Sequence, residues 1–279
     1  MITCVICLTL SSLTCINTQN TQKVILQSTD SNVTVQLLTQ SARIISDRLK
    51  TYGLETFDIK VLADQQAIQV NLPENIVLSE LEGLLTSKGE VGFYETYNRK
   101  EVADLIKHNN QLFDLLKSDP ANNPNDSKIG CISPCDYEQT NRYIGLNKSA
   151  ENYKFVWEMR SDESLNCLYA LKINSSGTGL LIRSDVETIK ISQDKNSQAF
   201  LINIKFKPNS AKKWANATMN NLNKPIIVMI DEKVFYTPIV KVPMENGLCE
   251  ISGHLTSKDA GYFLAFVNNE ILPASLSIK

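Results

Sequence analysis

Apolar and polar residues alternate along VTVQLL (33–38), FDIKVLA (57–63), AIQVNLP (67–73) and EVGFYETY (90–97), the two-residue period of a half-buried strand. After the first of these the period changes. In TQSARIISDRLKTYG, Ala42, Ile45, Leu49 and Tyr52 recur at helical spacing, and Gly53 is placed as the stop. LSELEGLLTSKG predicts a second helix ending at Gly89, and the polar Asp64-Gln65-Gln66 joins two strands as a hairpin. The order β-α-β-β-α-β over 33–97 describes a ferredoxin-like sandwich with its helices on one face.

Beyond it, RKEVADLIKHNNQLFDLLKS (99–118) predicts a helix with Val102, Leu105, Ile106, Leu112, Leu115 and Leu116 on its apolar side. His108 lies beside that side and reads as a rim residue. From Asp119 to Tyr137 three prolines and several Asn and Asp mark a loop or hinge. KFVWEM and CLYALKI are short strands, followed by a polar turn (174–179) and LLIRSDVETIKIS. FLINIKF alternates strictly; a helix from Asn209 presents Trp214, Ala217 and Leu222; Pro225 opens the strand IIVMI. The expectation is an α+β fold in two layered parts. A base subdomain occupies 21–118, a hinge region with CISPC occupies 119–152, and a head subdomain occupies 153–279.

The first fifteen residues, MITCVICLTLSSLTC, carry no charge and resemble the apolar core of an export signal. INTQNTQ after them reads as a tether in a segment covering 1–20. Cys15 is the candidate lipid-attachment residue, with a short uncleaved anchor as the alternative. No later apolar run approaches the ~20 residues of a spanning helix, so the expected location is exported, periplasmic or membrane-anchored. Cys131, Cys135, Cys167 and Cys249 remain outside that segment. Cys131 and Cys135 enclose Ile-Ser-Pro, where a local bridge is sterically plausible; free thiols are the alternative, and connectivity is not readable from sequence.

At 43% hydrophobic and 21% charged residues the composition is that of a globular protein. A net charge of -2 argues against a nucleic-acid footprint, and Lys205, Lys207, Lys212 and Lys213 read as a solvated face. His108 and His254 are the only histidines, and no zinc, phosphate-loop or nucleophile-elbow motif occurs. Asp231/Glu232 and Asp162/Glu163 are adjacent turn acids. Neither an enzyme nor a cofactor site is expected.

A longer pattern runs through the last eighty residues. It comprises Ala211, Trp214, Ala215 and Thr218 on a helix, Asp231 after IIVMI, Thr237 and Pro238, and Gly247. Ile251-Ser252-Gly253, Thr256 with Ala260, and Leu272-Pro273-Ala274 complete it. In order, these resemble the head of the first periplasmic domain of the SecD family, with Glu232 and Asn269 where glycine is usual. SDRLKTYGLE and IQVNLP, through Arg48, Gly53 and Pro73, resemble the base of the same domain. Asp231, Pro238, Gly247, Gly253, Thr256 and Pro273 have mechanical explanations as turn, cap and strand-edge residues. The resemblance implies an ectodomain that binds translocating polypeptide and Sec translocase subunits, touching a membrane surface through its N-terminus. The pattern runs to Lys279 without the family's membrane helices, so the resemblance implies no proton-driven motor. The alternative is an exported lipoprotein that reuses the fold for structure or unrelated binding.

Overall fold

The computed structural model describes residues 21–106, 111–116, 125–146, 152–158, 165–194, 199–253 and 255–279. Cys15, His108 and His254 lie outside them. In chain order the elements are β1 (Thr21–Ser28), α1 (Val35–Tyr52), β2 (Asp58–Leu62), β3 (Ala67–Pro73), α2 (Leu78–Thr86) and β4 (Val91–Tyr97). Then come α3 (Arg99–Leu105), α4 (Gln111–Leu115), β5 (Lys128–Ile132), α5 (Tyr137–Leu146), β6 (Tyr153–Glu158) and β7 (Asn166–Lys172). The rest are β8 (Leu181–Ile182), β9 (Val186–Gln193), β10 (Phe200–Phe206), α6 (Pro208–Asn220), β11 (Ile226–Ile230), β12 (Lys233–Tyr236), β13 (Leu248–Ile251), α7 (Ser257–Val267) and β14 (Leu276–Ile278). Helices and antiparallel sheets make the chain α+β.

The first strand is not VTVQLL. The Thr34 side chain accepts from Leu37 N at 3.2 Å and caps α1, so those residues open a helix. Val35 points to solvent while Leu38, Ala42, Ile45 and Leu49 are buried, a helical stripe that alternation had imitated. The strand lies earlier, in TQKVILQS, part of which had read as tether.

A four-stranded antiparallel sheet has the order β14-β1-β3-β2. β1 runs against β3 from Thr21↔Pro73 to Gln27↔Ala67, and β14 takes its other side with Leu26↔Ile278. The β-α-β-β-α-β unit therefore exists, but α7 and β14 complete it. β4, expected as its last strand, pairs instead with β11, β7 and β8. Residues 257–278, expected in the head, thus share a sheet and core with 21–85.

The remaining strands form a seven-stranded sheet around β4 and β7, and a three-stranded sheet, β13-β10-β9. The largest core runs through both parts, from Leu26, Ile45 and Val70 to Phe93, Ile204 and Trp214. Phe93, Phe206 and Trp214 form its aromatic centre, with ring centroids 4.9 to 6.0 Å apart. β7 is buried on both faces: Leu168 and Ala170 face a smaller core under α3, α4 and α5, while Cys167, Tyr169 and Leu171 face another with Ile227 and Met229. That double burial explains its nearly continuous apolar run.

The structure corrects the cysteine pairing. Cys131 bonds Cys167, and Cys135 is free and exposed. Cys131 and Cys167 are direct partners in the β5–β7 ladder and face the same side of the sheet. Cys135 lies in the turn beyond β5, its Sγ 3.0 Å from Ser133 Oγ. The expected loop is in part this strand.

Candidate functional site

A polar cleft of about 470 Å³ opens where β5, β6 and β7 meet the segments on either side of the β11–β12 hairpin. Glu158, the last residue of β6, holds two hydroxyls: Tyr169 donates to one carboxylate oxygen at 3.1 Å and Thr237 to the other at 2.9 Å. Across the cleft, Asp126 accepts from Lys128 N at 2.9 Å and Lys224 leads into Pro225. Pro225 bridges to Ile239, and Pro238 O accepts from Ile226 N at 3.2 Å. Beneath, buried Thr96 donates to Ser127 Oγ at 2.8 Å.

Ile239, on the cleft wall, continues into an apolar surface beside it. Asn223 and Val240 are joined N–H to carbonyl at 2.8 Å, and Met244 N donates to Thr218 at 2.9 Å, so residues 218–225 and 238–244 run side by side. They expose Met219, Leu222, Ile239 and Val242, a local group of large apolar side chains beside a polar trough. Among the described residues no three His, Cys, Asp or Glu stand as a metal site.

A second arrangement joins the two parts of the fold. Arg48, fully buried on α1, donates to the carbonyls of Ser87 (2.6 Å), Lys88 and Glu270 (3.3 Å), and its guanidinium lies 4.7 Å from the Phe266 ring centre. Burial lowers its pKa to about 10, with the Asp231 charge acting the other way. From the head side, Asp231 accepts from Gly89 N (2.9 Å) and Glu90 N (2.8 Å) and donates its own N–H to Glu90 O (2.7 Å). Residues 87–90, the link from α2 to β4, are therefore held from both sides. Gly89 has φ 91°, and a Cβ there would stand 2.3 Å from Arg48 Nη2.

The signature residues are dispersed rather than gathered in one site. Asp231, itself at φ 53°, reaches across to the 87–90 link instead of capping its own hairpin. Gly247 packs against Ala211, where a Cβ would approach within 2.7 Å. Gly253 sits at φ 142° beside Tyr236, whose hydroxyl donates to Ser252 O at 3.1 Å. Thr256 and Asp259 form a reciprocal capping box on α7. Pro273 lies in the bend before β14, outside the strand. Of the pattern residues, Thr237 lines the cleft, and Pro238 follows it in the chain. Sequence reasoning missed Glu158 and Asp126; their only signal is position, at a strand end and in a loop.

Residues 171–274 match the family described as SecDF, P1 head subdomain. Over those residues the chain is similar to the SecDF P1 head subdomain. The SecD protein translocase subunit of Calditerrivibrio nitroreducens is 24% identical over 249 residues, covering 87% of this chain and 45% of that protein. The SecD subunit of Acidaminococcus fermentans is 28% identical over 102 residues, covering 37% of this chain and 24% of that protein. The chain spans less than half the length of these SecD relatives. A crystal structure of SecDF in a super-membrane-facing form overlays 92% of this chain and 29% of its own, with 16% identity and a TM-score of 0.49. No helix among the described residues is long and apolar enough to cross a membrane.

Proposed function

We propose that this chain is a non-enzymatic, exported module that holds translocating polypeptide for the Sec translocase. The extended chain lies in the cleft between Glu158 and Ile239. The observation that supports this most directly is position: Lys224, Pro225, Thr237 and Ile239 form one wall of the cleft and fall inside the SecDF P1 head match. The apolar surface beside the cleft adds contacts for side chains that have not yet folded away. Contact of this kind is weak and sequence-tolerant, as handling of many exported chains requires.

A photocrosslinking residue in place of Ile239, tested during export in cells, is expected to capture exporting polypeptide, with Sec subunits co-purifying. The same residue at Leu165, exposed outside the cleft, serves as the comparison. Equal yields at both positions, or none of either partner, would overturn the reading.

A further inference from the structure

Asn246 and Gly247 form the only Asn-Gly pair in the chain. They are the central residues of the turn into β13, with φ 60° at Asn246 and 69° at Gly247, the left-handed range that this pair accepts. The turn is lightly held. Leu248 N reaches Glu245 O at 3.4 Å, a long bond. Among the described residues no hydrogen bond engages the exposed Asn246 side chain or the Gly247 N–H. Asn174, followed by Ser175, is the contrast: it too is exposed in a turn before a small residue. Its Oδ1 accepts from Ser176 N (3.0 Å), Ser176 Oγ (2.9 Å) and Thr178 N (3.1 Å), and its Nδ2 donates to Thr178 Oγ1 (2.8 Å). That carboxamide is fixed, whereas the Asn246 carboxamide can turn towards the nitrogen of the next residue, where no Cβ stands in the way.

We propose that Asn246 is a site of spontaneous modification: its carboxamide is lost through a cyclic imide, and the isoaspartyl product loosens the start of β13. Solvent removes the Gly247 N–H proton and the nitrogen attacks Asn246 Cγ. An N–Cγ bond forms, the Cγ–Nδ2 bond breaks, and Nδ2 takes up a proton and leaves as ammonia. Water then opens the imide. Breaking the new N–Cγ bond gives aspartate; breaking the original bond to the Asn246 main-chain carbonyl carbon gives isoaspartate, whose backbone runs through Cβ and Cγ. The balance is one water in and one ammonia out, with no change of oxidation state. Aspartate keeps the turn, because it tolerates positive φ as asparagine does. Isoaspartate adds a main-chain atom where the packing leaves little room. Gly247 O accepts from Phe206 N at 2.8 Å, and a Cβ on Gly247 would stand 2.7 Å from Ala211 Cβ. The β13 ladder begins at the next residue, with Leu248↔Lys205. A shift of Gly247 therefore breaks the Phe206 bond and frays that end of the three-stranded sheet.

The test incubates the folded full chain for weeks at mildly alkaline pH and maps it by peptide mass spectrometry, with electron-transfer fragmentation to separate aspartate from isoaspartate. Asn246 is expected to convert severalfold faster than Asn174, and faster still as pH rises. Asn246→Gln, which would have to close a larger ring, should leave that position unmodified. Isoaspartyl protein, separated from the aspartyl form by chromatography, should exchange the Phe206 amide severalfold faster than unmodified protein, while the aspartyl form matches it. An intact Asn246 overturns the proposal, as does conversion at Asn174 that equals or exceeds it. Phe206 exchange unaltered in the isoaspartyl protein overturns it as well.

Discussion

Replacing Asp231 by alanine tests how the two parts of the fold are joined. The carboxylate accepts two backbone N–H groups at 2.9 and 2.8 Å, and hydrogen bonds to charged groups contribute about 1.5–3 kcal/mol each. The losses are unequal. Glu90 is exposed, so its amide regains water, while Gly89 is buried and its amide is orphaned. Asp231 also sits at φ 53°, a conformation that aspartate and asparagine tolerate better than alanine. Asp231→Ala is therefore expected to cost about 3 kcal/mol, and Asp231→Asn, which keeps a neutral acceptor and the backbone preference, about 1 kcal/mol. Urea unfolding read by far-ultraviolet dichroism and tryptophan fluorescence would show the alanine midpoint falling by about 1 M or more at unchanged slope. A loss below about 1 kcal/mol for alanine, or equal losses for both variants, would refute the argument that these two amides carry the join.

The other predictions concern cysteines and a cap. Peptide mapping should recover Cys131 linked to Cys167, and Cys167→Ser should cost about 4 kcal/mol for a loop of this size in the chain-entropy model; a Cys131–Cys135 peptide would contradict the structure. N-ethylmaleimide on the native protein should modify Cys135 and spare buried Cys249. Burial raises the Cys249 pKa to about 12 from 9.0. The unfolded thiol thus ionises first, and stability falls by about 1.4 kcal/mol per pH unit from 9 towards 12. Cys249→Ala should remove that share of the alkaline slope in urea titrations. Thr256→Ala should lower stability by about 1 kcal/mol through loss of the α7 cap, read from the same titrations.

Local structure was largely legible from sequence: β3 and β10 fall where alternation placed them, β11 where an apolar run follows Pro225, and Thr256 caps α7 as expected. The misreadings have two causes, one local and one of register. VTVQLL alternates, but the Thr34 cap and burial of Leu38 decide for helix. EVGFYETY is a strand, but nothing in it says that its partners are β11 and β7 rather than β1. The Cys131 partner and the Glu158 hydroxyl contacts are likewise cross-strand facts. They depend on register, and a local pattern carries no information about which distant strand arrives alongside.

The closing of the base sheet by β14 has a consequence for biogenesis. β1 and β14 are neighbours, yet some 250 residues of chain separate them. At about 5–20 residues per second of synthesis, β1 waits on the order of 10–50 s for its partner. During that interval the edge of β1 and the helix face that α7 later covers stand open. The base sheet thus keeps an unpaired strand edge until the last residues of the chain are made.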